Sequence, residues 1–303
     1  MDKITEVDAG TIVGLLVIVL ETGVGVVSNI FIFIVIGLEF IKQHQVMTSN
    51  KLLMPLCFSA LCFSTMLTTN NITGMVLPEK SQSGHVRYIF YILNMYSCSS
   101  CSWPTSCLCT FYFVKIANFE SGCLAWTKMK IDRMVVWMIV MVEAVSLCGA
   151  LINSQILSLT VKATMSSSAI NNTEESMINA SQFLNIIYIV NVVPFIVMMI
   201  TTVLTIVSLN LHVRKMGKNI PSNANLEVHQ RVVWTMIQLL IMYSVCYLVM
   251  FLLFFTRHGW GNWLYLISMS LFSPIQSGIL IHSNPKFIET LKTLCKSGSC
   301  FKS

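Results

Sequence analysis

The chain has 303 residues, of which 55% are hydrophobic and 11% are charged, and its mean hydropathy is +0.73. A soluble globular domain carries about 25% charged residues. This chain therefore lacks the polar side chains needed to cover a surface in water, and its composition predicts a membrane protein. The net charge of +6 follows from the membrane topology described below, and we expect no nucleic-acid partner.

Seven apolar runs are each long enough to cross about 30 Å of hydrocarbon as a helix of about 20 residues. The runs are continuous rather than alternating, which favours helices over a β-barrel. The sequence therefore predicts an all-α, seven-transmembrane helix bundle forming a single domain over residues 1–303. The predicted spans are Ile12–Leu38, Leu52–Leu77, Tyr88–Lys115, Met134–Leu159, Phe183–Leu211, Val232–Phe255 and Trp260–His282.

The Lys and Arg residues indicate which side of the membrane each connection occupies. With the N-terminus outside, 14 of them fall on inner segments and five on outer segments. Inner segments of membrane proteins carry such an excess. We therefore predict a multi-pass protein of the plasma membrane, with an extracellular N-terminus and a cytoplasmic C-terminus.

Polar side chains at membrane depth need partners. Glu21 and Asn29 are eight residues apart in the first span, so they share roughly one helix face. Glu143 lies within the fourth span. A proton or ion relay needs a longer series of carboxylates, so we predict that Glu21 and Asn29 form structural hydrogen bonds between helices.

The third span is rich in Ser, Thr and Cys, and its outer end could line a cavity open to the outside. A small-molecule site is usually an apolar cleft with a few polar groups. The candidate lining contains no cation, which favours neutral, mostly apolar ligands. The predicted lining residues are Asn71, Asn94, Cys98, Tyr188, Asn191, Tyr243, Tyr247, Leu266 and Met269.

Two connecting segments carry further signals. The outer loop from Ser158 to Gln182 contains two glycosylation sequons, at Asn171 and Asn179. After Pro285, the segment Lys286–Cys295 alternates apolar and charged residues, which predicts a short amphipathic cytoplasmic helix on the inner leaflet lipid.

Motifs for catalysis and for cofactors are missing from the sequence. There is no His-Glu-x-x-His, no Gly-x-Ser-x-Gly and no glycine-rich phosphate loop. No Cys/His cluster has zinc spacing, and the seventh span has no lysine for a retinal Schiff base. We therefore predict no enzymatic activity, no metal and no cofactor, and interpret most of the 11 cysteines as packing residues.

The stretch Phe111–Phe119 closes the third span at its predicted cytoplasmic end, where a partner could dock. Further motifs follow the chain in order: Glu21, Gly25, Asn29, Phe31, Ile32, Val35 and Lys42; Pro194, Phe195, Ser208, Leu209, His212, Lys215 and Met216; His229, Leu239, Leu240 and Tyr243; Ser277, Leu280, Ile281, Asn284 and Lys286. With these motifs the sequence resembles the type 2 taste receptors, the bitter receptors among seven-helix G-protein-coupled receptors. The resemblance covers most of the chain.

The chain departs from that family at several positions and looks like a divergent member. Ala60 stands after Ser59 where the family usually has an arginine, and Gln276 stands where it usually has a histidine. Trp234 replaces a common lysine, Pro274 is a shifted proline, and Asn94 replaces a frequent aromatic residue.

The resemblance implies a receptor for small bitter or xenobiotic compounds that activates a heterotrimeric G protein of the gustducin/inhibitory class. It implies a coupling edge, for which we predict Tyr112, Lys115, His212 and Met216. A type 1 vomeronasal (pheromone) receptor is the first alternative, and the Phe111–Phe119 run argues against it. A channel or transporter is an alternative of another class, but neither paired intramembrane charges nor an internal repeat is evident.

Overall fold

A computed structural model describes residues 9–43, 48–76, 84–116, 123–167, 191–211, 223–255 and 260–300. Within these ranges every residue except Leu271 and Asn284 is helical, and there is no strand. The helices are α1 (Ala9–Gln43), α2 (Thr48–Val76), α3 (Gly84–Ile116), α4 (Cys123–Ser167), α5 (Asn191–Leu211), α6 (Asn223–Phe255), α7 (Trp260–Ser270), α8 (Phe272–Ser283) and α9 (Pro285–Cys300). Residues 183–190 of the predicted fifth span lie outside the described residues.

Five of the described helices, namely α1, α2, α4, α5 and α6, are long and apolar enough to cross a membrane. The helix α3 has 33 residues, but polar side chains such as those of Ser and Asn lower its mean hydropathy. The predicted seventh span is divided into α7 and α8, of 11 and 12 residues.

The division at Leu271 follows from Pro274. Proline lacks the N–H that would bond to the carbonyl of Ser270, and its ring crowds that carbonyl. The backbone nevertheless continues through Leu271, which donates to the Ile267 carbonyl at 3.0 Å and accepts from the Ile275 N–H at 3.1 Å. The two helices thus form one slightly broken span.

The helix α1 shows how the bundle sorts apolar residues between its interior and its outer face. Ile18, Ile32 and Ile36 are fully buried, whereas Leu20 and Val27 are 68% and 69% exposed. Exposed apolar side chains of this size face hydrocarbon rather than water in a membrane protein. The buried positions recur at intervals of three to four residues, as expected for one helix face.

Hydrogen bonds fix the relative direction of the first helices. Thr22 bonds to Thr68 and Glu39 to Asn50, so α1 and α2 are antiparallel. In the same way, Tyr88 with Ser154 and Tyr96 with Glu143 make α3 and α4 antiparallel. The end of the bundle at which α3 has its C-terminus is here named the Lys115 end. The opposite end, where α3 has its N-terminus, is named the Tyr88 end.

The helix α9 is attached to the Lys115 end of α1. The Asn284 side chain accepts from the Lys286 N–H at 3.1 Å and caps the helix, and Pro285 occupies the first helical position. Phe287 is 1% exposed and packs edge-on against Phe31. Lys286 Nζ lies 2.6 Å from Glu39 Oε1. The amphipathic helix predicted after Pro285 is present.

Candidate ligand site and coupling edge

Glu21 and Asn29 both lie on the face of α1 that packs against α7 and α8. The Ser270 hydroxyl donates to Glu21 Oε2. The Asn29 amide donates to Ser273 Oγ at 3.1 Å and to the Gly25 carbonyl at 2.8 Å. These bonds tie the first span to both halves of the seventh, across one seam.

Gly25 lets α1 and α8 approach closely within this seam. A Cβ atom built at Gly25 would lie 2.8 Å from Ser273 Oγ and 3.1 Å from Pro274 Cδ, whereas one at Gly23 would meet nothing within 4 Å. The two glycines therefore differ in what surrounds them, although both lie in the same helix.

We expect Gly25→Ala to lower the thermal stability of the purified receptor by about 1–3 kcal/mol, because the added methyl group overpacks the seam. Gly23→Ala is the matched control. It should be neutral or stabilising, since alanine favours a helix over glycine by about 1 kcal/mol. Equal melting temperatures for the two variants would show that the contact between α1 and α8 accommodates the added methyl group without loss of stability.

Tyr243 joins α6 to α3 in the centre of the bundle. Its hydroxyl donates to the Cys101 carbonyl at 2.7 Å and lies 3.0 Å from Thr105 Oγ1, and the residue is 4% exposed. The amide of Gln276 on α8 lies 3.5 Å from Thr105 Oγ1. A chain of polar groups therefore crosses from α8 through α3 to α6.

Asn191 and Tyr247 make a second connection, between α5, α3 and α6. The Ser102 hydroxyl donates to Asn191 Oδ1 at 3.1 Å, and the Tyr247 hydroxyl donates to the Asn191 carbonyl at 2.7 Å. The rings of Phe195 and Tyr247 pack edge to face, with centroids 5.1 Å apart. The Tyr247 ring also lies 6.4 Å from that of Tyr243, measured between centroids. Three of the predicted ligand residues, Asn191, Tyr243 and Tyr247, thus lie together and form hydrogen bonds between helices.

Asn71 and Asn94 differ from these residues because each keeps an unpaired polar atom. Asn71 Nδ2 and Asn94 Oδ1 are buried, and neither has a hydrogen-bond partner among the residues that the structure describes. An unpaired buried polar group costs about 1–3 kcal/mol, so both atoms are available to a ligand. Ser59 and Ser100 are hydrogen-bonded and so lie at one depth. Asn71 is 12 residues past Ser59 and Asn94 is six residues before Ser100, which places Asn71 nearer the Tyr88 end.

The remaining predicted lining residues are apolar or outside the described chain. Leu266 and Met269 are 9% and 3% exposed and belong to the buried core, against which Cys98 packs. Tyr188 lies outside the described residues.

Two of the four predicted coupling residues are described, and both lie at the end of α3. Lys115 is exposed, and its Nζ lies 5.3 Å from the centroid of the Phe111 ring. Tyr112 is partly buried and packs against Phe111. His212 and Met216 lie outside the described residues, as do the sequons at Asn171 and Asn179.

Sequence reasoning missed the hydroxyl groups that complete these sites. On sequence grounds, four of them were ordinary small helix residues: Ser102, Thr105, Ser270 and Ser273. Ser270, Ser273 and Ser277 of the seventh span are nevertheless spaced by three and four residues, as on one helix face. Single Ser and Thr residues usually bond to their own helix. Their cross-helix partners become visible only when the helices are packed together.

The comparisons with known proteins point to one family. The taste receptor protein (TAS2R) family matches residues 7–298. The chain belongs to the TAS2R family. It is 28% identical over 288 residues to taste receptor type 2 member 4 of Pongo pygmaeus, covering 92% of this chain and 94% of the relative. It is 27% identical over 251 residues to taste receptor type 2 member 8 of Homo sapiens, covering 79% and 80%.

Membership of the TAS2R family confirms the seven-helix receptor fold and the predicted receptor function. This TAS2R is a multi-pass membrane protein of a family of signalling receptors, and ligand binding and G-protein coupling are general properties of that family. Nothing in the comparisons favours a vomeronasal receptor.

Proposed function

We propose that this receptor detects small, mostly apolar bitter or xenobiotic compounds and activates a heterotrimeric G protein of the gustducin/inhibitory class. The observation that carries the proposal is the TAS2R match over residues 7–298. The chain acts without a cofactor or metal and without enzymatic activity. Its residues form one receptor domain, with the seven spans at the predicted bounds.

We propose that the receptor lies in the plasma membrane. Its N-terminus is then outside the cell and its C-terminus is in the cytoplasm. The Lys115 end is then cytoplasmic. Lys42, Lys51 and Lys115 all lie at that end, as does α9 with its exposed Lys292. Cytoplasmic ends of spans carry such an excess of basic residues, and the amphipathic α9 fits the inner leaflet. Asn171 and Asn179 are then extracellular and open to glycosylation.

The proposed ligand site lies between α2, α3, α5, α6, α7 and α8. The unpaired amide atoms of Asn71 and Asn94 support it, because they offer one donor and one acceptor inside an otherwise apolar region. A neutral ligand with an acceptor for Asn71 Nδ2 and a separate donor for Asn94 Oδ1, about 9 Å apart along the helix axes, could satisfy both. The aromatic faces of Tyr243 and Tyr247 and the side chains of Cys98, Asn191, Leu266 and Met269 would contact its apolar part, with Tyr188 as a further contact.

The proposed coupling edge consists of Tyr112 and Lys115 at the end of α3, with His212 and Met216 beyond α5. Lys115 supports it because this cation is exposed at the end of the helix and its ammonium group is free to meet an acidic group of a partner. Phe111 beneath it is fully buried, so the position of Lys115 is fixed by the core.

The receptor proposal is tested by expressing the chain with a chimeric G protein and recording calcium responses to a broad panel of bitter compounds. We expect at least one neutral, mostly apolar agonist. With that agonist, Tyr112→Ala combined with Lys115→Ala should lower the maximal response at least about fivefold, because coupling free energies of this kind run from about 1 to 3 kcal/mol.

Surface labelling and a matched variant make the result interpretable. Lys292→Ala removes an exposed lysine of α9 and should leave the response unchanged. No response to any compound from receptor shown to be at the cell surface would contradict the ligand class. An unchanged response of the double variant would remove the coupling role from the end of α3 while leaving the ligand class intact.

A further inference from the structure

The carboxylate of Glu143 is held by hydroxyl groups from a neighbouring helix. Tyr96 donates to Glu143 Oε2 at 2.7 Å, and Ser100 donates to the same oxygen at 2.7 Å and to Oε1 at 3.0 Å. Ser100 Oγ lies 2.6 Å from Ser59 Oγ, and Ser59 also donates to the Pro55 carbonyl at 2.8 Å. One cluster therefore joins α2, α3 and α4, and Glu143 is its acidic member.

Glu143 lies near the middle of the membrane. Apart from Glu143, the part of α4 from Met134 to Ile156 carries no charged residue, and Glu143 is nine residues after its start and 13 before its end. At 1.5 Å per residue, the two ends are about 14 and 20 Å away. An intramembrane carboxylate at this depth is costly unless a partner offsets its charge, and it indicates a functional site.

The partners that the structure gives to Glu143 in the described residues are neutral. Along α2, α3 and α4, the basic residues nearest the cluster in sequence are Lys51, Arg87 and Arg133. Each is at least eight residues from the cluster member on its own helix, which is about 12 Å along the axis. Hydroxyl donors supply hydrogen bonds but no positive charge. Among the described residues of α2, α3 and α4, the cluster therefore has no cation beside it.

The surroundings of Glu143 are open on one side and apolar. Its side chain and that of Tyr96 are partly exposed, and α2 and α4 contact each other much less than either contacts α3. Val140 and Leu147, at positions i−3 and i+4 from Glu143, share its side of α4 and are 54% and 48% exposed. A groove with a charged floor and apolar walls thus faces the hydrocarbon of the membrane.

We propose that this groove between α2 and α4 binds a protonated amine carried by an amphiphile, which enters from the bilayer. The ammonium group bonds to Glu143, and the apolar tail lies along the exposed side chains of α4. The carboxyl group of Glu143 favours a positively charged head group. The lipid-facing apolar walls favour an amphiphile with an apolar tail over an inorganic cation. This site is separate from the proposed ligand site, where Asn71 and Asn94 meet a neutral compound.

The test measures the thermal unfolding of the purified full-length receptor with a primary alkylamine and with the alkan-1-ol of the same chain length. We expect the amine to raise the unfolding midpoint at concentrations where the alcohol has little effect. Glu143→Gln keeps the shape, and its amide oxygen can still accept the two 2.7 Å bonds from Tyr96 and Ser100. It should weaken the apparent affinity for the amine by at least about tenfold, because it removes one member of a desolvated charge pair.

Three outcomes would overturn the site. The alcohol could stabilise the receptor as well as the amine, or Glu143→Gln could keep the full preference for the amine. If Glu143→Gln is not recovered as folded protein, Glu143→Asp replaces it, since it keeps the charge but withdraws it by one methylene group. The Glu143→Asp variant should prefer the amine to the alcohol less strongly than the unchanged receptor does. The third contrary outcome is an unreduced preference, which would mean that the amine binds elsewhere.

Discussion

Replacing Tyr243 by Phe is expected to raise ligand-independent signalling about fivefold or more. The Tyr243 hydroxyl makes the bond from α6 to the Cys101 carbonyl and to Thr105 on α3. Buried hydrogen bonds of this kind contribute about 0.5–1.5 kcal/mol each, and we propose that the receptor is activated by a movement of α6 away from α3. The measurement is G-protein activation in cells without agonist, normalised to surface receptor.

The folded state should survive this change. Thr105 Oγ1 also donates to the Cys101 carbonyl at 2.9 Å, so neither group is left without a partner when the hydroxyl is removed. Ser244→Ala is the control on the neighbouring residue, because the Ser244 hydroxyl is exposed and bonds to its own helix at the Leu240 carbonyl. Unchanged basal signalling with weaker agonist potency would make Tyr243 a ligand contact rather than a restraint on α6.

Reversing the charge of Glu39 or of Lys286 alone is expected to lower the thermal stability and the agonist response. Exchanging the two charges together is expected to restore both. Glu39 lies 2.6 Å from Lys286 Nζ and accepts from the buried Asn50 amide at 2.7 Å. Glu39→Lys places two cations together and leaves the Asn50 donor unpaired, which costs about 1–3 kcal/mol. We expect lower thermal stability and a weaker agonist response, because α9 loses its anchor at the Lys115 end.

The double variant Glu39→Lys with Lys286→Glu should recover most of both properties. The ion pair re-forms in reverse. Asn50 Oδ1, which has no partner within the described part of the chain, can accept from the new ammonium group. Glu289→Lys changes the net charge equally on an exposed position of α9 and should have little effect. Failure of the double variant to recover would show that the geometry, not the charge pair, holds α9.

Much of the fold was predictable because apolar length and charge asymmetry act locally along the chain. Runs such as Ile12–Leu38 must be helical in hydrocarbon, since no water can satisfy their backbone groups. Pro285 with its flanking residues predicted the break before α9 in the same way. The split of the seventh span at Leu271 was less apparent, because Pro274 acts on a carbonyl one turn earlier.

The candidate site was predictable only in part, since a residue type does not reveal its neighbour. The sequence marked Glu21, Asn29 and Glu143 as polar groups that need partners. It could not name Ser270, Ser273 or Ser100, because a serine in a helix usually bonds to its own backbone.

The sequence by itself determined that this chain is a helical membrane receptor of the TAS2R family, because composition, hydropathy and family motifs are properties of the linear sequence and do not depend on contacts between helices. Only the tertiary structure decided how the polar residues pair. Tyr243 and Asn191 are engaged between helices, whereas Asn71 and Asn94 keep a free polar atom. The physical reason is that a hydrogen bond between helices depends on which faces meet and at what depth, and packing alone fixes both.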